Sequence, residues 1–248
     1  MVERKLGRKA IKTDSRTLRL SKYFTAALPP PPKAVGWAHG IRQYGMLGND
    51  VLGDCTCAAV GHAVQILTAN ASVEAPVTDA EVLGIYENWC GYNPADPSTD
   101  QGGICLDVLN DWRQQGFAGH PLLAYATALP ANQIHIQQAI TLFGGVYIGF
   151  NLPQYALPGD GTIPPVWDVD PNADNTIIGG HCVFVCAYSP YALTCVTWGQ
   201  LQPMTWGFWN KYVDEAYALI SPNWIEVSGK APNGFNLAAL ESDLVLIN

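Results

Sequence analysis

The apolar pattern of this 248-residue chain changes period at the pair Gly144–Gly145. Before it, apolar residues recur at helical spacing in four stretches: 55–71, 78–92, 104–117 and 131–144. Each carries stop or start signals. Asp54 precedes the first as an expected N-cap, Thr78 and Glu81 form a capping box for the second, and Gly116 and Gly144 end the third and fourth. After the pair come short runs rich in β-branched and aromatic residues, GVYIGFNL, HCVFVCAYS and ALTCVTWG, bounded by Gly and Pro. TWGFWNKYVDEAYALI is expected to return to helix with Thr205 as its cap, and the tail ESDLVLIN to add a last strand. Helices first and strands later define an α+β protein, a helical lobe (34–130) packed against a β-rich lobe (131–248). The chain is long enough to bury a full core.

Residues 1–33 stand apart from both lobes. They hold nine of the thirteen Lys and Arg against Glu3 and Asp14, a net charge of +7, whereas the remaining residues carry four bases and nineteen acids, a net charge of −15. The acidic body argues against nucleic acid or an anionic membrane as a partner of the main surface. The basic arm has three readings: it binds nucleic acid, it lies across its own acidic body, or it reaches a second copy or a larger assembly. TLRLSKYF alternates apolar and polar residues like a short strand, which favours docking on its own body. LPPPPK follows as a stiff extended spacer. The N-terminus shows no apolar signal segment and no run is long enough to span a bilayer, so the expected location is cytoplasmic or virion-associated.

Seven cysteines, at 55, 57, 90, 105, 182, 186 and 195, are an odd number in mostly apolar surroundings, which argues against a disulfide framework. Cys55 differs from the rest because it opens the first helix. There, unpaired backbone N–H groups and the helix dipole favour a thiolate. Cys57 lies about 200° further round the helix and is read as core. Cys nucleophiles usually work with His. His62 is buried in the same apolar helix, whereas His39, His120 and His135 have polar or loop surroundings without a companion signal. His181 starts a strand after a glycine pair, where a fixed ring can face a cleft. Zinc held by Cys55, Cys57, His181 and Cys182 or Cys186 lacks a recognised ligand spacing, and no cofactor is implied. Asp96, Asp100, Asp168, Asp170 and Asp174 are read as a solvated acidic rim, since none follows a calcium-loop spacing.

Taken in order, these segments resemble the papain-like cysteine peptidases over most of the chain after residue 28. LPPPPKAVGWAHG is similar to the family's mature N-terminus, NDVLGDCTCAA to its nucleophile segment, and DQGGICLDVLNDWRQQG to its Gly-Gly shelf and following helix. IQQAITLFGGVYIGF, GGHCVFVCAY and VTWGQ resemble its helix and strand toward the specificity pocket, its histidine segment and its shielding tryptophan. The resemblance implies a two-lobe fold with a helical lobe against a β-barrel-like lobe and a cleft between. It implies Cys55 as nucleophile, His181 as base and Asn49 as oxyanion donor. Gly102, Gly103 and Gly180 would hold a peptide or protein substrate by its backbone, and Trp198 would shield the pair. It departs at Val196, where the family has the Asn that orients the imidazole; Thr197 or a backbone carbonyl is left for that role. GND-x-x-GDCT-x-AA is also similar to papain-like proteins of phages and bacteria. The alternative is therefore a papain-fold structural or adaptor protein without turnover, pinned by its arm into an assembly.

Overall fold

A computed structural model describes residues 4–224 and 234–247. The helices form where spacing and caps require them: α1 (Cys55–Ala71), α2 (Asp79–Cys90), α3 (Cys105–Gln115) and α4 (Gln133–Phe143). The Thr78–Glu81 capping box opens α2. Gly116 ends α3 and Gly144 ends α4, both at positive φ, where a Cβ would be strained. Asp54 precedes α1, but its side chain makes no cap hydrogen bond.

The strands are β1 (Val35–Gly36), β2 (Ala124–Thr127), β3 (Val146–Pro153), β4 (Ile177–Tyr188), β5 (Ala192–Thr197), β6 (Gln200–Thr205) and β7 (Val213–Ile220). They pair as one antiparallel sheet in the order β2-β7-β3-β4-β5-β6, with β1 added on β4. Period-two alternation gives this sheet two apolar faces. Tyr147, Cys182, Phe184, Cys186, Tyr217 and Leu219 face α1, α2 and α3. Val146, Ile148, Phe150, Val183, Val185, Ala216 and Ala218 face the other way, toward α4 and the aromatic residues Trp167, Phe208 and Trp209. The protein is thus α+β with an antiparallel sheet, as the order of patterns implies.

Three local expectations are corrected. TWGFWNKYVDEAYALI is not one helix. Thr205 does cap α5 (Trp206–Tyr212), but the chain then becomes β7, because Val213–Ile220 fill the slot between β2 and β3. The tail is helix α6 (Leu237–Ile247), not strand; Leu240 and Leu244, one turn apart, are its buried residues in the core. TLRLSKYF contributes only two isolated bridges, Arg19 to Thr127 and Phe24 to Phe235, on either side of a single 3₁₀ turn, Leu20–Tyr23. Among the described residues, no helix is long and apolar enough to cross a membrane.

The arm is docked on the body. Leu18, Leu20 and Tyr23 are buried in the core behind the sheet, Leu18 takes the Thr127 N–H, and Lys22 and Tyr23 both bind Asp243 of α6. Replacing the fully buried Leu20 with Ala should therefore destabilise the whole protein by about 3 kcal/mol, read as a lower urea midpoint with an unchanged slope.

Candidate active site

Four turns of α1 pack across β4, so the first residue of the helix meets the strand at the His181–Cys182 peptide. Cys55 is 1% exposed, and the backbone N–H groups of Cys182 and Gly7 lie near its sulfur, each favouring the thiolate. Burial nevertheless outweighs them and pushes the thiol well above its ordinary pKa. The imidazole of His181 is held on three sides. Its ring stacks on Trp198 at 4.3 Å and 14°, meets the edge of Phe150, and its Nε2 lies 2.7 Å from Thr197 Oγ1. Nδ1 has no hydrogen-bond partner among the described residues. Burial pulls His181 down to about 3, with a smaller push from His62. The arrangement is therefore a neutral thiol and a neutral ring in a dry site, with one ring nitrogen uncommitted.

Thr197 is the group that touches the imidazole where Val196 cannot; Val196 itself is buried against the helices. Asn49 departs from its expected role. Its Nδ2 donates to the Leu52 carbonyl at 3.0 Å, and its own backbone carbonyl accepts Lys5 N–H, so the amide braces the loop before α1 instead of facing the cleft. Asp100 is no solvated rim residue either. It accepts Gly53 N–H and, at 2.5 Å, Tyr86 Oη, which in turn accepts Gly102 N–H. That chain of bonds ties the loop before Cys55 to the Gly102–Gly103 shelf. Cys57 points away from Cys55, its sulfur 3.8 Å from that of Cys90. Buried His62 binds the Gly45 carbonyl, and burial draws it down to about 4.

The cleft is filled by the chain's own arm. Gly103 donates to Gly7 O and accepts from Lys9 N–H, both at 2.8 Å, while Arg8 N–H donates to Gly180 O at 3.1 Å. Residues 7–9 thus bridge the glycine shelf and the strand carrying His181, with Arg8 paired to both. Trp198 Nε1 reaches Lys5 O at 3.3 Å. The fit depends on glycine: a Cβ on Gly7 would lie 1.7 Å from Gly53 O, and one on Gly102, already at φ +74°, 1.8 Å from Gly7 O. Arg8 is buried to 6% exposure, with Nε 2.7 Å from Glu215 Oε1 and an Nη 2.5 Å from Asp214 Oδ1. Burial alone would lower its pKa, but Glu215, Asp214 and the neighbouring Cys105 raise it.

Sequence reasoning singled out Cys55, His181, Gly102, Gly103, Gly180 and Trp198; in the structure Gly103 and Gly180 pair with the arm, Trp198 stacks on His181, and Cys55 lies by the backbone of Cys182, the residue after His181. It missed Gly7, Arg8, Asp214 and Glu215. The one legible signal was an acidic pair, DE, inside an otherwise apolar stretch at 213–220. No group of three His, Cys, Asp or Glu among the described residues is placed to hold a metal ion.

The architecture is an α+β fold with a thiol at a helix start and an imidazole on the facing sheet. Comparison with solved structures gives it a narrower description. The chain is similar to xylellain, a cysteine protease from Xylella fastidiosa, at TM-score 0.69 and 15% identity, covering 89% of this chain and 98% of that one. Procathepsin B S9 from Trypanosoma congolense matches at TM-score 0.64 and 11% identity, with 88% and 86% covered. Digestive procathepsin L 3 from Tenebrio molitor larval midgut matches at 0.58 and 11%, with 88% and 76% covered. No protein-family model matches the chain, and no curated protein does so by sequence. The fold is that of the papain-like cysteine proteases.

Asp54, immediately before Cys55, is fully buried, and neither carboxyl oxygen has a hydrogen-bond partner among the described residues. Burial pushes it up to about 8, against a pull from the nearby Asn49 amide, which lacks hydrogen-bond geometry. A folded-state pKa above the unfolded value means stability is complete below about pH 4 and is lost as pH rises toward 8. Asp54→Asn should therefore stabilise the protein by a few kcal/mol at pH 8 and leave it unchanged near pH 4, as checked by denaturant titration at both pH values.

Proposed function

We propose that this protein is a papain-type cysteine peptidase held latent by its own N-terminal arm. What supports the reading is a Cys55 thiol lying by the strand that bears the Thr197-bound and Trp198-stacked His181, beside a glycine shelf already pairing with an extended chain. Cys55 attacks the amide carbonyl of a peptide or protein substrate, His181 accepts the thiol proton through Nδ1 and returns it to the leaving amine, and water then releases the acyl group from sulfur. The backbone N–H of Cys55, in the first turn of α1, is the leading oxyanion donor, since Asn49 is engaged elsewhere.

Latency follows from two features of the docked arm. It presents Gly7 N–H to the sulfur, a donor with no electrophilic carbon to attack. It also keeps the pair dry. A buried thiolate and imidazolium must recover their lost hydration from each other, and here burial shifts both groups toward neutrality. Departure of residues 4–9 would let water reach the site and let a substrate take the same shelf. The reading of a non-catalytic assembly protein draws on Val196 and on the charge split, but Thr197 supplies the missing contact and the basic arm is spent on its own body.

The test uses the full chain. Gly7→Val cannot seat its side chain against Gly53, so incubation with a peptidyl epoxide should label Cys55 stoichiometrically, at least tenfold faster than wild type, by mass spectrometry. His181→Ala in the same background should abolish that labelling. Slow, equal modification of several cysteines would exclude the peptidase reading. Thr197→Val, which removes the imidazole's partner, should lower kcat of the Gly7→Val chain by about tenfold, the equivalent of one hydrogen bond, with KM little changed.

A further inference from the structure

Arg8 occupies a pocket that is built more fully than an arm anchor needs. Glu215 is 4% exposed on β7, and while Oε1 accepts Arg8 Nε, Oε2 accepts Tyr217 Oη at 2.9 Å. Asp214 Oδ1 accepts the guanidinium and Oδ2 accepts Asn151 Nδ2 at 3.0 Å. Asn151 Oδ1 lies 3.5 Å from the remaining Arg8 nitrogen. Each carboxylate is therefore oriented by a protein group of its own as well as by the arginine. Gly149 keeps the pocket open: a Cβ there would stand 2.4 Å from Glu215 Oε1 and 2.5 Å from Arg8 Nε.

The pocket opens onto the cleft beside the reacting groups. The residue filling it donates its backbone N–H to Gly180 O, next to His181, and the preceding residue contacts the Cys55 sulfur. Any extended chain pairing with Gly103 and Gly180 can lower a side chain into it. Empty, the pocket would hold a buried carboxylate without a counter-charge, which is a strongly unfavourable state. Two carboxylates reached by separate nitrogens of one planar fork match a guanidinium; a lysine ammonium is a point charge that cannot span them in the same way.

We propose that the Asp214–Glu215–Asn151 pocket is an arginine subsite, and that the peptides this site takes once the arm has left carry an arginine there. The substrate class rests on the peptidase reading; the guanidinium affinity of the pocket does not. The arm then holds the cleft shut by presenting the same side chain that a substrate must present, with its backbone misplaced for attack.

Two measurements on the full chain separate these statements. In Arg8→Ala, about 20 mM n-propylguanidinium should raise the Tm by about 2 °C or more through binding to the folded state. n-Propylammonium should do much less, and neither should act on wild type, where the pocket is filled, or on Arg8→Ala/Glu215→Gln. Equal shifts in all four cases, or none, would overturn the subsite whatever the enzyme does. With the Gly7→Val chain, matched peptide coumarylamides carrying Arg or Leu at each position near the scissile bond should show at least a tenfold preference for Arg at one position. Glu215→Gln should reduce that ratio at least tenfold. Cleavage without arginine preference refutes the proposed substrate class while leaving the peptidase reading standing. Guanidinium rescue with no cleavage of any peptide supports the pocket and refutes the peptidase.

Discussion

The contact between the start of α1 and the middle of β4 is the constraint on which the site depends. An apolar helix covers one face of the sheet, and its first residue therefore lies against the peptide that follows His181. The same packing buries both the thiol and the imidazole. Trp198 and Phe150 enclose the ring, Thr197 fixes one of its nitrogens, and burial drives sulfur and ring toward their neutral forms. On the proposed peptidase reading, water and substrate must enter before an ion pair can form, and residues 4–9 of the arm lie in their way.

The arm uses two kinds of attachment with different energetics. Residues 18–23 bury apolar side chains in the core and are part of what makes the protein stable. Residues 4–9 lie in the cleft through backbone pairing, close glycine approach and one buried guanidinium. The opposite charges of arm and body favour their association in general, but exposed pairs such as Lys12–Asp107 contribute little. Specificity comes from Arg8, where removal of one partner would strand a buried charge. The two portions of the arm are thus held by different physical means.

Much of the fold and several site residues were legible from particular patterns. The Thr78–Glu81 box, the stops at Gly116 and Gly144, and the alternating apolar strands reported local geometry, because caps and side-chain period act over one or two turns. The resemblance supplied Cys55, His181 and the glycine shelf. What failed shares one cause. Val213–Ile220 read as helix and the tail as strand because short apolar runs take the form of the slot they fill. Asp54 was taken for a cap, Asn49 for an oxyanion donor and Asp100 for a solvated acid. For Asn49 and Asp100 the partner lies in a loop whose path the sequence does not state, and Asp54 is buried without a hydrogen-bond partner among the described residues.

By itself the sequence determined an α+β chain with helices before strands, an acidic body with a basic arm, and a thiol placed in the first turn of a helix. These follow from hydrophobic period, charge count and capping chemistry, all of which are local. Only the tertiary structure decided that the arm lies in the cleft, that Arg8 meets Asp214 and Glu215 some two hundred residues away, and that Thr197 holds the imidazole. Such pairings depend on which surfaces the packed sheet and helices leave facing each other, and no spacing along the chain encodes that.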